Sequence, residues 1–320
     1  WSKTTPQYGD DQFIPFSLRS VKQLKLPQIA CYLSYTNEKT HDIIRENLHV
    51  SPMYTGVIEG LGPRYCPSIE DKITRFADKI SHQTFLEPEG LNTDLIYLQG
   101  ISTSLPQDVQ QKFLETIPGL ENVEIVRPGY AVEYDCIEPS QIWPTLETRN
   151  IQNLYLAGQI NGTSGYEEAA GQGLLAGINA GLKIDDEEPL ILGRDQAYLG
   201  VLVDDLVTKG TSEPYRMFTS RAEHRLFLRE DNTIERLFET SKNLGLIDDQ
   251  YRARLEKILE DRAQLLSTLE TTKISPTENT LNKLTEMGTK PILKQTTLAE
   301  LLRRTEVGFE NLRAFDVNTD

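Results

Sequence analysis

Leu154-Tyr155-Leu156-Ala157-Gly158-Gln159-Ile160-Asn161-Gly162-Thr163-Ser164-Gly165 is a short apolar run followed directly by a glycine-rich loop. The run predicts a strand over 154–157, and the residues after the loop predict a helix over 166–182. A strand, a glycine loop and a helix in this order are typical of a nucleotide site, because glycine has no Cβ and the first N–H groups of a helix favour phosphate. The alternative is a tight turn that needs glycine only for packing. The segment therefore predicts an α/β fold with a candidate nucleotide site at this loop.

The predicted helix carries a second glycine pattern. Gly173, Gly177 and Gly181 recur every four residues, so we expect one stripe of the helix to pack closely against the sheet. The run Gly171-Gln172-Gly173-Leu174-Leu175-Ala176 matches the G-x-G-x-x-A dinucleotide pattern but lies inside the helix. Since that pattern requires a strand-to-helix loop, we exclude it as a phosphate site.

Composition limits the class of protein. The 320 residues, 38% of them hydrophobic, are enough for about two domains with cores. A formal net charge of −15 argues against a protein that coats nucleic acid non-specifically, so any RNA contact needs a local basic patch. Cys31, Cys66 and Cys136 form no Cys-x-x-Cys pair, which argues against a disulfide framework and a zinc site and favours a reducing cytosol. The four histidines show no metal-ligand spacing, so we expect most of them to be surface or capping residues and expect no metal. No apolar run approaches the length of a membrane helix.

Strands and helices alternate before the glycine loop, and helices dominate after it. The strands are predicted at 29–35, 95–98, 123–126 and 131–134, and the helices after Thr40, after Ser68 and over 108–117. An acidic linker at 185–189 precedes a mostly helical region, in which 297–300 is a capping-box start.

A lone cysteine lies at one of these predicted helix starts. In Gly56-Val57-Ile58-Glu59-Gly60-Leu61-Gly62-Pro63-Arg64-Tyr65-Cys66-Pro67-Ser68-Ile69-Glu70-Asp71-Lys72, a glycine-rich stretch leads to Cys66. A helix N-terminus and Arg64 both favour the thiolate, which is a nucleophile toward electrophilic carbon. The alternative is a small buried cysteine that fills a turn.

The charge reverses between residues 209 and 229. Five basic residues face only two acidic ones there, an excess of three positive charges. Arg221, Arg225 and Arg229 have helical spacing and would form a stripe suited to phosphates. The alternative is a solvated face paired with Glu223 and Glu230.

Several unusual runs resemble successive motifs of one family. Besides the cysteine loop and the glycine loop, they are Ser51-Pro52-Met53-Tyr54-Thr55-Gly56, Phe85-Leu86-Glu87-Pro88-Glu89-Gly90, Gly100-Ile101-Ser102-Thr103-Ser104-Leu105-Pro106, Val126-Arg127-Pro128-Gly129-Tyr130, Tyr166-Glu167-Glu168-Ala169-Ala170 and Pro214-Tyr215-Arg216-Met217-Phe218-Thr219-Ser220-Arg221-Ala222-Glu223. Together they resemble the glucose-inhibited division protein A family, the tRNA uridine 5-carboxymethylaminomethyl modification enzymes. The resemblance extends from about residue 27 to residue 231.

The resemblance implies roles for individual residues. Cys66 corresponds to one of the family's two catalytic cysteines, and the other has no counterpart in this chain. The flavin-contacting residues implied are Gln159, Gly158, Asn161 and Gly162. The implied NAD-binding segment is Gly62, Pro63, Arg64, Tyr65, Cys66, Pro67, Ser68, Ile69, Glu70, Asp71, Lys72, Ile73, Thr74, Arg75 and Phe76. The tRNA-binding candidates are Arg216, Arg221, Arg225 and Arg229.

The fold implied by the resemblance is α/β, followed by helices. A Rossmann-like dinucleotide-binding domain and the return part of an FAD-binding domain precede a mainly helical C-terminal region. We expect a linker over 1–26, a second dinucleotide (NAD)-binding-like insertion domain over 27–140, the return part of the FAD-binding domain over 141–188, and an incomplete helical tRNA- and partner-binding region over 189–320. The chain is expected to be an internal to C-terminal fragment that lacks the N-terminal FAD motif and is inactive alone.

The activity implied is addition of a (carboxymethyl)aminomethyl group to C5 of the tRNA wobble uridine. FAD, NADH and methylenetetrahydrofolate are the implied cofactors. A GTPase partner, a homodimer, a heterotetramer with that partner and a cytoplasmic location are implied as well. Two alternatives remain open, namely a truncated non-catalytic fragment that binds tRNA or a partner, and a folate- and FAD-dependent tRNA uridine methyltransferase.

Overall fold

Strands and helices alternate in the first part of the chain, and helices dominate the last part. The computed structural model describes residues 1–11, 13, 15, 17–19, 24, 26–56 and 67–318. The chain forms two units, residues 1–228 and residues 229–320. The finer boundaries expected after residues 26, 140 and 188 stay predictions.

The first unit contains a four-stranded antiparallel sheet. Its strands are hydrogen-bonded in chain order: β1 (Thr5–Gln7), β2 (Cys31–Tyr35), β3 (Gln83–Pro88) and β4 (Ile96–Gln99). Leu33 lies opposite Phe85, and Leu86 lies opposite Leu98. The strands predicted at 29–35 and 95–98 are confirmed with small shifts at their ends. Those predicted at 123–126 and 131–134 are wrong, because neither segment pairs with a strand in the described chain.

Three helices cover this sheet: α1 (Glu38–Glu46), α2 (Ile69–Arg75) and α3 (Gln107–Leu114). They bury a shared apolar cluster that includes Ile44, Ile73 and Phe113. The predicted start of α2 is confirmed, since Ser68 Oγ accepts a hydrogen bond from the N–H of Asp71 at 3.1 Å. The apolar positions Ile69, Ile73, Phe76, Ala77 and Ile80 keep helical spacing in the sequence, but the helix ends at Arg75 and Ile80 is 84% exposed.

The predicted strand at 154–157 is wrong. Tyr155 makes one isolated bridge to Glu147, and no ladder forms around it in the described residues. A strand requires a second strand beside it, and the apolar pattern of this segment does not show whether such a strand is present. The predicted helix is confirmed as α4 (Tyr166–Ile184), after a single 3₁₀ turn at Gly158–Asn161.

The glycine stripe of α4 does not pack on the sheet. The residues that α4 buries are Glu168, Gln172, Leu175, Ala176 and Asn179. A Cβ added at Gly173, Gly177 or Gly181 would meet no atom within 4 Å. The expected close packing is therefore wrong for the part of the chain that the structure describes.

Helix α5 (Tyr198–Lys209) packs beside α4 and completes the second cluster of the first unit. Leu175 of α4, Leu202 and Leu206 of α5, and Tyr215 beyond it are all buried in this cluster. The cluster places residues 215–217 next to the glycine loop.

The second unit is helical apart from a two-stranded sheet. Its elements are α6 (Thr233–Asn243), α7 (Asp249–Thr271), β5 (Lys273–Ile274), α8 (Glu278–Glu286), β6 (Thr296–Thr297) and α9 (Leu298–Leu301). Leu269, Leu284, Leu298 and Leu312 form its core. The capping box predicted at Thr297 and Glu300 is confirmed, with both reciprocal bonds present.

These observations confirm the predicted fold class, α/β followed by a mainly helical C-terminal region. Among the described helices, none is both long and apolar enough to cross a membrane.

Candidate functional site

The glycine loop has a backbone that only glycine adopts easily. Gly158 and Gly162 have φ values of +86° and +79°, in the left-handed region. A Cβ at Gly158 would lie 3.2 Å from the Cβ of Ala169 in α4. Gly158 therefore lets the loop lie close to α4, whereas a Cβ at Gly162 would lie 2.8 Å from Thr211 Cγ2, so Gly162 lets the loop approach residue 211.

Gln172 of α4 holds this loop from beneath. Its Oε1 accepts hydrogen bonds from Gly158 N at 3.2 Å and from Asn161 Nδ2 at 2.9 Å. Its Nε2 donates to Thr163 Oγ1 at 3.0 Å and to the carbonyl of Glu168 at 3.1 Å. Sequence reasoning missed Gln172, although its spacing of four from Glu168 on one helix face was a usable signal.

Two buried oxygens at this site have no hydrogen-bond partner among the described residues: Asn161 Oδ1 and Glu168 Oε2. Glu168 is only 5% exposed, and its Oε1 accepts hydrogen bonds from Met217 N at 2.9 Å and lies 3.4 Å from Arg216 Nε. The N-cap of α4, Gly165, supplies no side-chain cap. Buried oxygens without a donor are uncommon in folded proteins. The two oxygens fit a ligand that carries hydroxyl or N–H donors, whereas the backbone N–H groups of the first turn of α4, which has no side-chain cap, fit a phosphate acceptor. A nucleotide cofactor offers both kinds of group.

Arg216 lies against the glycine loop. Its guanidinium pairs with Glu168 and with Glu167, the latter at 3.7 Å, and a Cβ added at Gly165 would overlap both Arg216 and Glu168. Tyr215 N also donates to Gly162 O at 2.8 Å. The structure thus brings Arg216 to the candidate flavin residues.

The predicted arginine stripe is not helical. A 3₁₀ turn at Thr219–Arg221 leads into non-helical turns up to residue 228. Arg221 lies 4.3 Å from the ring centre of Tyr215, Arg225 is exposed, and Arg229 belongs to the second unit, where it pairs with Asp231 at 2.8 Å. The stripe prediction is wrong because the spacing of charges alone does not bury a helix face.

Arg194 organises the residues that precede these turns. Its Nη1 contacts Asp205 Oδ1 at 2.8 Å, and its Nη2 contacts Glu223 Oε1 at 2.8 Å and the carbonyl of Arg221 at 3.0 Å. Burial alone would raise the pKa of Asp205, but hydrogen bonds from Lys209, Arg194 and Tyr215 outweigh burial and lower that pKa. Sequence reasoning did not find this network, because its members are separated by up to 29 residues.

Comparison with known proteins decides the family. A family model described as "Glucose inhibited division protein A" matches residues 1–188, more than half of the chain. The chain belongs to the glucose-inhibited division protein A family. A second family model, "tRNA modifying enzyme MnmG/GidA C-terminal helical domain", matches residues 248–319.

Relatives of this family match over the whole chain. The "tRNA uridine 5-carboxymethylaminomethyl modification enzyme MnmG" of Bdellovibrio bacteriovorus is 63% identical over 320 residues, which are 100% of this chain and 50% of the relative. The enzyme of the same name from Thermodesulfovibrio yellowstonii is 57% identical over 98% of this chain and 50% of its own length. A crystal structure of Aquifex aeolicus GidA matches with a TM-score of 0.82 and 40% identity, over 100% of this chain and 50% of that one. The chain therefore spans about half the length of these relatives.

Part of the NAD-binding segment expected for this family lies outside the described residues, namely Gly62, Pro63, Arg64, Tyr65 and the candidate catalytic Cys66. In the remainder, Ser68, Ile69, Glu70 and Ile73 are buried, and Thr74, Arg75 and Phe76 are exposed. Glu70 connects α2 to the segment after β4, since its Oε1 accepts hydrogen bonds from Thr103 Oγ1 and Ser104 N, each at 3.0 Å. Lys72 donates to the carbonyl of Gly100 at 2.6 Å.

A groove of about 1250 Å³ also lies in the first unit. Residues that line it include Tyr97, Thr103, Gln110, Arg127 and Tyr130. None of the described residues of the expected NAD segment lines it. Sequence reasoning did not predict this groove.

His41 is buried and His82 is half-buried, whereas most of the histidines were expected to be surface or capping residues. His41 Nε2 lies 2.8 Å from Thr36 Oγ1, and the rings of His41 and His82 are 5.3 Å apart. Burial lowers the pKa of both histidines, and each is further lowered by nearby positive or imidazole groups. His49 and His224 are exposed, as expected.

Proposed function

We propose that the intact protein modifies tRNA by adding a (carboxymethyl)aminomethyl group to C5 of the wobble uridine. The supporting observation is the glycine loop held by Gln172, with two buried oxygens that have no protein donor in the described chain. Membership of the family and the names of relatives that match the whole chain support the same reaction.

The glycine loop is the proposed FAD site. Gln159 is exposed on the loop, while Gly158, Asn161 and Gly162 shape its backbone. Because the N–H of Gly158 already donates to Gln172, we assign Gly158 a role in close approach and Asn161 Oδ1 a role as hydrogen-bond acceptor. When bound, FAD reduced by NADH would supply redox equivalents, and methylenetetrahydrofolate would supply the one-carbon unit.

Cys66 is the proposed catalytic residue of this chain. Carbon 5 of uracil becomes nucleophilic when a nucleophile adds at C6, and a thiolate is suited to that addition or to proton transfer. Ser68, directly after Pro67, caps α2, so the chain reaches a helix start two residues after Cys66. NADH is proposed to bind the segment from Gly62 to Phe76, where Thr74, Arg75 and Phe76 are its exposed described residues.

Arg221, Arg225 and Arg229 are the proposed tRNA contacts, with Arg216 at the boundary between the RNA surface and the glycine loop. We further propose that the helical C-terminal region binds a GTPase partner. In this proposal the protein is a cytoplasmic homodimer that forms a heterotetramer with the partner.

The proposal is tested on the intact protein, purified with its partner. Its absorbance spectrum should show stoichiometric flavin. After incubation with unmodified tRNA, NADH, GTP and methylenetetrahydrofolate, mass spectrometry of the nucleosides should detect an aminomethyl adduct when ammonium is the amine source. A methyl adduct would identify a uridine methyltransferase instead. Flavin-free protein that leaves tRNA unchanged would indicate a non-catalytic binding protein.

A further inference from the structure

A short turn at residues 223–228 presents apolar side chains to solvent. Leu226 is 83% exposed and Phe227 is 55% exposed, next to the exposed Arg225. The residues on either side of this exposed run, Ala222 and Leu228, are buried at 4% and 3% exposure. Exposed aromatic and basic residues on one short turn are a common composition for a binding surface.

The shape of the turn is set by contacts on its buried side. Phe227 N and Leu228 N both donate to the carbonyl of His224, at 2.8 and 2.9 Å. Arg194 holds Glu223 with two hydrogen bonds, Nε to Oε2 at 3.0 Å and Nη2 to Oε1 at 2.8 Å. Ala222 and Leu228 pack against Val201 of α5. The turn is therefore formed before any ligand binds, which lowers the entropy lost on binding.

The charge of this turn suits a polyanion. Glu223 is the acidic residue of the turn, and its carboxylate is held away from the tip by Arg194, which also pairs with Asp204 and Asp205. Arg225 then carries the excess charge at the tip, within the segment 209–229, which has five basic and two acidic residues. A ligand that offers both a flat apolar face and a negative charge would satisfy Phe227 and Arg225 together.

We propose that the turn at residues 223–228 binds unpaired nucleotides of tRNA, with Phe227 stacked on a base and Arg225 in contact with an adjacent phosphate. This inference rests on the proposed function and adds the part of the RNA that is recognised. Unpaired bases expose their faces and can stack on aromatic side chains, whereas a duplex hides those faces. The combination of Phe227 and Arg225 therefore fits a loop of tRNA and not a stem.

The experiment measures binding of the intact protein to an RNA hairpin with a uridine-containing loop and to a fully paired duplex, at several salt concentrations. Phe227→Ala should weaken loop binding about 5- to 150-fold, the range expected for one stacked base, with the salt dependence unchanged. Phe227→Tyr should restore binding. Arg225→Ala should lower the slope of log affinity against log salt by about 0.7, the value for one single-strand phosphate. Leu293→Ala removes another exposed apolar side chain, 94% exposed in the second unit, and should change neither quantity.

The outcomes separate this inference from the proposed function. If the wild-type protein binds neither RNA, the proposed function fails and this inference fails with it. If the wild-type protein binds the hairpin and Phe227→Ala binds it equally well, only this inference is overturned. If Phe227→Ala weakens binding to the hairpin and to the duplex equally, the inference is also overturned. It is overturned as well if Phe227→Ala loses binding to a partner protein and keeps its affinity for RNA.

Discussion

Replacing Gln172 by Leu should destabilise the first unit strongly, although the two side chains are similar in size. Leu has no acceptor, so Gly158 N–H and Asn161 Nδ2 would both lose the oxygen that now lies 3.2 and 2.9 Å away. Each buried donor left without a partner costs about 1–3 kcal/mol, and two such donors cost about 2–6 kcal/mol. Leu fills nearly the same space as Gln and therefore leaves little cavity, so the loss of stability should come from the unpaired donors.

The measurement is thermal unfolding followed by tryptophan fluorescence. Both tryptophans, Trp1 and Trp143, lie in the first unit, so the signal reports on the unit that contains Gln172. At about 2–4 °C per kcal/mol for a unit of this size, the melting temperature should fall by about 4 °C or more. Gln152→Leu makes the same chemical change at an exposed position and should leave it nearly unchanged. A fall of less than about 1 °C in Gln172→Leu would refute the role of Gln172 in holding the loop.

Three further predictions concern other parts of the chain. His41 and His82 have pKa values below the ordinary 6.5, so the unfolded state binds protons at a higher pH than the folded state does. The free energy of unfolding should therefore fall as the pH drops below about 6.5. Thermal melts at several pH values measure this, and a melting temperature that does not change with pH would contradict it. Cys66→Ser in the intact protein should abolish tRNA modification and leave flavin absorbance unchanged, whereas retained turnover would remove Cys66 from the mechanism. Gly177→Ala should raise the free energy of unfolding of the first unit by about 0.5–1 kcal/mol, because a Cβ at residue 177 meets no atom within 4 Å and Ala favours a helix over Gly. A lower melting temperature of this variant in the intact protein would show that another segment covers this face of α4.

Helix starts were predictable from sequence because their signals are local. Ser68 caps α2, Thr297 and Glu300 form their capping box, and α4 begins at residue 166 as its pattern predicts. Each of these signals lies within four residues of the element that it starts.

Pairings between distant segments were not predictable. The apolar run at 154–157 has strand composition, but the structure gives it one bridge, Glu147 to Tyr155, and no neighbouring strand in the described residues. The arginine spacing at 221–229 suggested a helix, yet Arg194 and the buried Ala222 set a turn there. In both cases contacts remote in sequence overrode the local pattern.

Helix α4 shows why the faces of an element can be assigned the wrong way round. Its pattern predicts that the small, apolar stripe is buried, but the buried face contains the polar side chains of Glu168, Gln172 and Asn179. Each of these bonds to backbone groups of a neighbouring loop: Met217 N, Gly158 N and Leu190 N, respectively. The side chains of α4 therefore accept hydrogen bonds from loop N–H groups that are not paired in a sheet.

The net charge of −15 does not by itself argue against the proposed RNA contact. Exposed charges are screened over about 8 Å at physiological salt, so a phosphate near Arg225 responds to its neighbours and not to the whole chain. Asp204, Asp205 and Glu223 are the acids closest in the network, and all three bond to Arg194. These three carboxylates share the guanidinium of Arg194, and Lys209 is a second cation on Asp205, so the positive charge that the turn at residues 223–228 offers to a phosphate is that of Arg225 at its tip. The same guanidinium of Arg194 fixes the backbone that leads into that turn through the carbonyl of Arg221, so the shape of the proposed RNA surface depends on a single side chain.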